Sequence, residues 1–128
     1  MDSVVKRKID SLYGAFSVLA NGAYTYVTDM KTDWTRWSKE AVHYFDLPDE
    51  YMQGVAYTWM ERIHPEDRQI YQDDLMATLK GEQQYHLCEY RVLDRNGNYV
   101  RVLCRGGMYH GKDGEPDIFS GYLEIRED

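Results

Sequence analysis

At 128 residues with 43% hydrophobic side chains, the chain is long enough for one domain whose core needs neither disulfides nor metal. A net charge of −7, with no basic run longer than Lys6 to Lys8, sets up a field that repels phosphate backbones and excludes nucleic acid as an expected partner. The two cysteines suit a reducing cytoplasm, and no stretch has the apolar length of a membrane span or a secretory leader. Twelve tyrosines and three tryptophans direct attention to a ring-lined interior, because such rings fill cores and pockets while keeping a polar tip.

Val5, Ile9, Leu12, Phe16 and Leu19 recur at alternating spacings of four and three, which predicts an amphipathic flanking helix over residues 1–20, ended by Ala20-Asn21-Gly22. The domain proper is expected over residues 21–128. Ala23 to Met30 and Asp33 to Trp37 are β-branched and aromatic and are separated by a Lys-Thr turn, so they read as a hairpin. Ser38 is placed to cap a short helix, Lys39 to Phe45, that the Asp46 to Pro48 segment stops. A third short helix is expected over Ala56 to Arg62.

The segment "WMERIHPEDR", Trp59 to Arg68, gathers Glu61, His64, Glu66 and Asp67 between two arginines. It admits a structural and a chemical reading. Pro65 suits the first turn of a helix, and Glu66 and Asp67 complement the positive end of its dipole, with Ile70, Tyr71, Leu75 and Leu79 continuing at helical spacing until Lys80 and Gly81. The chemical reading is a small metal-dependent enzyme using Glu61, His64 and Asp67. It has a single E-x-x-H where di-iron bundles need two with further Glu, and no other catalytic or metal motif accompanies it.

Around "DRNG" a three-residue loop with Gly97 in the left-handed conformation pairs Asp94 with Asn98. In that register Cys88, Tyr90, Val92, Val100, Val102 and Cys104 share one face, while Glu89, Arg91, Arg101 and Arg105 share the other. Cys88 and Cys104 then lie directly opposite, expected as two buried thiols in preference to a strained cross-strand disulfide. His86 and Arg105 are within reach of a bound carboxylate, but a solvated sheet face accounts for Arg105 without one. After the turn "GKDGEP", Asp117 to Ile125 forms a final strand with Phe119, Gly121, Leu123 and Ile125 on one side.

The segments "RWS" (Arg36 to Ser38), Trp59, "IHPEDR" (Ile63 to Arg68), "EYRVLDRNG" (Glu89 to Gly97), "RVLCRG" (Arg101 to Gly106), "DGEP" (Asp113 to Pro116) and "SGY" (Ser120 to Tyr122) stand in consistent order across residues 20–126. In this the chain resembles a PAS domain, of the variant with a Trp-containing segment before a His-Pro-acidic turn. The resemblance implies an α+β fold with a five-stranded antiparallel sheet of order 2-1-5-4-3, helices on one face and a cavity between them. Candidate lining residues are Tyr26, Trp37, Tyr44, Trp59, Tyr71, Tyr90, Val102 and Cys104.

Two departures stand out: Arg101 replaces a Trp common on the fourth strand, and "EIR" replaces the usual "DIT" at the end of the last. A photoactive flavin is disfavoured, because no segment like "NCRFLQ" is present, and haem is disfavoured because Pro65 to Lys80 holds no His. No cofactor is fixed by the sequence. The resemblance implies a non-catalytic sensory or interaction domain of a bacterial-type signalling protein. Such a domain regulates a linked effector such as a diguanylate cyclase or histidine kinase, through a small ligand or a dimer rearrangement. A pure dimerisation module is the remaining alternative. The outer sheet face mixes Leu87, Leu93, Tyr99 and Leu103 with charge. The expected assembly is therefore a homodimer joining N-terminal helices and outer sheet faces, with the helix seam expected to cover its own sheet in preference to pairing with a second copy as a coiled coil.

Overall fold

The computed structural model describes residues 1–21 and 23–126; Gly22, part of the segment expected to end the first helix, and the last two residues of the expected domain lie outside the described residues. The elements run α1 (Ser3–Leu19), β1 (Tyr24–Asp29), β2 (Trp34–Trp37), α2 (Lys39–Phe45), β3 (Tyr51–Gln53), α3 (Val55–Arg62), a 3-10 turn (Pro65–Asp67), α4 (Arg68–Leu79), β4 (Tyr85–Leu93), β5 (Tyr99–His110) and β6 (Pro116–Arg126).

The sheet is antiparallel with six strands in the order β3-β2-β1-β6-β5-β4, which corrects the expected five strands and their order. The additional strand is β3, whose Tyr51, Met52 and Gln53 pair with Arg36, Thr35 and Trp34. Three residues after a Pro-Asp-Glu turn are too few to show an alternation. The remaining strands follow the expected pairing. Leu93 faces Tyr99, Cys88 faces Cys104, the Asp94 amide donates to the Asn98 carbonyl at 2.8 Å, and Gly97 has φ +81°. Both cysteines are free thiols.

Capping follows local chemistry. Ser38 Oγ accepts from the Ala41 amide at 3.1 Å and Asp2 Oδ1 from the Val4 amide at 2.7 Å, each satisfying a helix-terminal donor. The long helix differs from expectation at its start: Pro65–Asp67 is a 3-10 turn, and α4 proper begins at Arg68. His64 Nδ1 caps that turn by accepting from the Glu66 amide at 3.1 Å. Of the expected stripe Tyr71 is buried but Ile70 is exposed, and Thr78, not part of it, is buried as well.

The core fills the space between the inner sheet face and α2, α3 and α4, with Phe45, Ile63, Val92, Val102 and Leu123 sealed from solvent. One row of the inner face, Trp37-Tyr26-Gly121-Gly106-His86, alternates bulk with its absence. The paired glycines leave room for the Tyr26 ring: a Cβ on Gly121 would stand 2.5 Å from its hydroxyl, and one on Gly106 would stand 3.0 Å from it. Phe119 stacks on the same ring, centroids 6.1 Å apart.

On the outer face α1 lies over β1 and β2, with Ile9 and Val27 both fully buried. Polar contacts tie it down. Lys8 Nζ reaches Asp29 at 2.9 Å and Asp117 at 2.7 Å, while Asp10 accepts from Arg36 at 3.0 Å and from the Tyr51 hydroxyl at 2.6 Å. Arg36 also lies over the Tyr13 ring at 4.0 Å. The predicted apolar seam is therefore used unevenly: Ile9 is sealed, Phe16 is half-buried against Tyr122 of β6, but Leu12 and Leu19 remain exposed. Leu87 and Tyr99 on the outer side of β4 and β5 are also open, whereas Leu103 between them is buried.

The free edge of β4 is covered by carboxylates from the helical layer. Asp74 Oδ1 accepts from the Leu87 amide at 3.0 Å, and Asp67 Oδ2 accepts from the Arg91 amide at 2.9 Å.

Candidate functional site

A cavity of about 120 Å³ lies between the inner sheet face and α3 and α4. Of the residues singled out from sequence, Tyr26, Trp37, Trp59, Tyr71, Tyr90 and Cys104 line it. Tyr44 and Val102 do not. Tyr44 packs tilted against Tyr24 and edge-on against Phe45, at 5.2 and 5.0 Å, and Val102 is wholly buried within the core. Phe119, Leu75, Leu79 and Leu123 complete the apolar wall, while the exposed Asp33 and Ala56, with Met30 and Val55, mark its rim. The rim is the part that sequence reasoning did not identify; Asp33 is a non-glycine residue with φ +61°, and position 33 carries no sequence signal for that conformation.

Some of the wall's polar groups pair with one another, whereas the Tyr71 hydroxyl has no hydrogen-bond partner among the described residues. Trp59 Nε1 donates to the Tyr90 hydroxyl at 2.8 Å, the Tyr26 hydroxyl lies 3.7 Å from Cys104 Sγ, and Thr28 and Thr35 share a hydroxyl contact of 2.6 Å. Burial pushes the Cys104 thiol up to about 12 and raises the Tyr26, Tyr71 and Tyr90 phenols as well, so none of them ionises near neutrality. Trp37 Nε1 is buried and has no hydrogen-bond partner. Cys88, opposite Cys104, is likewise held up to about 11 by burial. Neither thiol has the depressed pKa of a reactive cysteine.

The His-Pro-acidic segment resolves into structural contacts. Asp67 grips the Arg91 guanidinium through two 2.8 Å bonds, Glu66 adds a third at 3.2 Å, and Arg68 donates to the Ile63 and Glu61 carbonyls. The hydrogen bonds from Arg91 hold the Asp67 carboxyl below the ordinary carboxylate range. His64 spends Nδ1 on its cap and stacks on Tyr99 at 4.7 Å. Glu61, His64 and Asp67 do not converge, and among the described residues no group of three or more His, Cys, Asp or Glu is arranged to hold a metal ion. Of the three, Asp67 is committed to Arg91 of β4 and His64 to the cap of its own turn, while Glu61 contributes its backbone carbonyl to Arg68, so the geometry gives the metal-enzyme alternative no support.

His86 is almost completely buried, with Nδ1 2.7 Å from Asp74 Oδ1 and its ring edge-on to Tyr71. Burial lowers its pKa against the opposing pull of Asp74. The two effects leave a neutral imidazole that donates to the carboxylate. Arg105 is exposed on the outer face, in line with the solvated sheet face expected for it.

A helix-covered antiparallel sheet with an aromatic-lined cavity between its layers defines an α+β domain. The sequence profile described as the PAS fold matches residues 35–123, and the chain belongs to that family. Solved structures agree. A sensory box histidine kinase/response regulator from Burkholderia thailandensis is 25% identical, with 88% of this chain and 83% of that chain covered and a TM-score of 0.68. The N-terminal domain of a diguanylate cyclase with PAS/PAC sensor from Marinobacter aquaeolei is 19% identical over 80% of this chain and 94% of that one, TM-score 0.67. A domain of the putative light and redox sensing histidine kinase from Haloarcula marismortui is 15% identical, covering 89% and 99%, TM-score 0.64. No curated protein matches the sequence. No helix among the described residues is long and apolar enough to cross a membrane.

Proposed function

We propose that this domain is a non-catalytic sensor that regulates a linked signalling effector, of the histidine kinase or diguanylate cyclase kind, by binding a small ligand in the aromatic cavity. The observation that carries the reading is the position of the β1–β2 turn. Met30 and Asp33 form part of the cavity rim, and Asp29, immediately before them, holds Lys8 of α1. Met30 also donates its amide to the Asp117 carbonyl at 2.8 Å, and the Asp117 side chain is the second partner of Lys8. A ligand that shifts the rim therefore changes the seat of α1, and population shift between seated and unseated α1 is the outgoing signal.

Lys8→Met removes the link. Hydrogen exchange of the Ser3–Leu19 amides is expected to speed up about tenfold relative to wild type, the worth of a charge-assisted hydrogen bond, while amides of β5 keep their protection. Equal protection of α1 in both proteins would refute this route.

A dimeric form of the same mechanism is favoured by the apolar surface left over on the outer side. Leu12, Val18 and Leu19 of α1 and Leu87 and Tyr85 of β4 are all exposed. A homodimer through α1 and the uncovered half of the outer face buries them, and sedimentation of the full chain tests it. Leu12→Asp with Leu19→Asp is expected to yield a monomer; a wild-type chain that is monomeric at high micromolar concentration removes the dimer and leaves the cavity reading standing.

A further inference from the structure

Resting on the reading of the cavity as a ligand site, we infer that its ligand is a neutral molecule about the size of one aromatic ring, carrying a single hydrogen-bonding group, and that the Tyr71 hydroxyl is what recognises that group. Tyr71, on α4, is only 7% exposed and lines the cavity, and its hydroxyl has no hydrogen-bond partner among the described residues. Its ring is held edge-on by Tyr90 and His86, with centroids 5.2 and 5.5 Å away. Its phenol end belongs with a polar knot on the inner sheet face, where the Tyr26 hydroxyl lies 3.7 Å from Cys104 Sγ and the Tyr90 hydroxyl accepts from Trp59 Nε1 at 2.8 Å. Burial is the main reason that these phenols resist ionisation. Beyond it, Cys104 and then Tyr71 oppose charge on Tyr26 and Tyr90, and Cys104 opposes charge on Tyr71, so the Tyr71 oxygen stands within electrostatic reach of the knot without being bonded to it.

A buried hydroxyl without a partner is unfavourable, and native interiors leave few of them. Trp37, in the same wall, adds a buried indole donor that also lacks an acceptor. A hydrocarbon filling the cavity would strip Tyr71 of water and give it nothing in return. A ligand hydroxyl or carbonyl oxygen meets it, because a phenol can donate as well as accept. One such group is what the wall takes, since Leu75, Leu79, Phe119 and Leu123 make the remainder apolar. Size follows from the volume of about 120 Å³, close to the ~150 Å³ at which an apolar cavity accepts benzene. Charge is disfavoured separately: among the described residues no cationic side chain lines the cavity, and its one carboxylate, Asp33, stands at the exposed rim.

The matched probes are 4-fluorophenol, fluorobenzene and 4-fluorobenzoate, titrated by ¹⁹F NMR against the full chain and its Tyr71→Phe variant. The wild-type chain is expected to bind 4-fluorophenol saturably and about fivefold more tightly than fluorobenzene, the worth of one hydrogen bond, with shifts in the Tyr71 ring resonances, and 4-fluorobenzoate not measurably. Tyr71→Phe, which removes only the unpaired oxygen, is expected to bring the two neutral probes to within about twofold of each other. Should that variant fail to fold, the wild-type ranking and the Tyr71 shifts decide: a preference for 4-fluorophenol that leaves the Tyr71 ring unperturbed counts against the inference. Fluorobenzene binding as tightly as 4-fluorophenol, or a preference that survives Tyr71→Phe undiminished, would overturn recognition by Tyr71 while leaving the cavity a ligand site. 4-Fluorobenzoate binding as tightly as 4-fluorophenol would overturn the neutral class. No saturable binding by any of the three would overturn this inference and the cavity reading together.

Discussion

Gly121→Ala tests the packing idea on which the cavity depends. Gly121 sits in the middle of the sheet, paired with Tyr26 on one side and Gly106 on the other. A methyl group there would lie 2.4 Å from the Arg105 carbonyl oxygen, 2.5 Å from the Tyr26 hydroxyl and 2.8 Å from Tyr26 Cζ. The first contact is with backbone, so no rotamer change relieves it; β5 and β6 must part locally, and the Tyr26 ring must leave the floor it rests on. Gly106→Ala is the comparison, since the nearest atoms to its added carbon belong to side chains, at 2.9 Å in Phe119 and 3.0 Å at the Tyr26 hydroxyl. Overpacking of a filled interior costs about 1–3 kcal/mol, and more where backbone has to move. We expect about 3 kcal/mol or more for Gly121→Ala, and about half that for Gly106→Ala. For a domain of this length the larger loss corresponds to a fall of roughly 10 °C in Tm. Urea and thermal unfolding followed by circular dichroism measure both. A Gly121→Ala protein within about 0.5 kcal/mol of wild type would show that the glycine pair is not what seats Tyr26.

Gly97→Val isolates backbone strain, because a Cβ at this position meets nothing within 4 Å while φ is +81°; a loss of about 1–3 kcal/mol is expected by urea unfolding, and an unchanged midpoint would refute the bulged loop. His64→Ala removes the Nδ1 cap on the Glu66 amide and is expected to cost about 1 kcal/mol in the same assay; stoichiometric zinc or iron that is lost with this substitution would contradict the structural role. Acid sensitivity has two stages. His86 is held below its ordinary 6.5 by burial, so as pH falls below that value the unfolded chain takes up a proton that the folded one refuses, and stability declines; a wild-type protein whose His86 imidazole titrates at or above 6.5 by NMR would reverse the sign. Asp67, depressed by the Arg91 bonds, and Asp29, where bonds from Thr32 and Lys8 outweigh burial, contribute stability above 3.8 that is lost as pH falls further through their folded values, so Tm against pH is expected to steepen there.

What the sequence made legible was whatever repeats locally. The β4–β5 register followed from one alternating pattern and one Asn-Gly, because a slip of a single residue would have buried arginines. The start of α2 followed from its Ser38 cap, while Pro65 marked the 3-10 turn that precedes α4 and not the helix itself. The aromatic content pointed to the cavity, and Tyr26, Trp37, Trp59, Tyr71, Tyr90 and Cys104 do line it. Tyr44 and Val102 show the limit: alternation fixes which face a residue occupies, but whether it meets the void or solid core depends on the neighbouring element. The rim residues Met30, Asp33, Val55 and Ala56 come from a turn and a helix start, where no periodicity operates. The α1 stripe misled for a different reason. Its spacing records an apolar face, yet α1 is held largely by Lys8, Asp10 and their distant partners, and long-range ion pairs leave no trace in spacing.

The two margins of the sheet carry a consequence for how this domain can live at high concentration beside copies of itself. A long bare strand edge is a template for ladder growth, ending in swapped or fibrillar chains. Here one margin is the three-residue β3, and on the other Asp67 and Asp74 occupy β4 amides that an incoming strand would need. Recruitment by strand addition is thereby discouraged at both ends, and contact between copies is channelled to side-chain surfaces, which separate again without unravelling the fold. The guards of the β4 margin are carboxylates, so strong acid that protonates them weakens the protection there along with the fold itself.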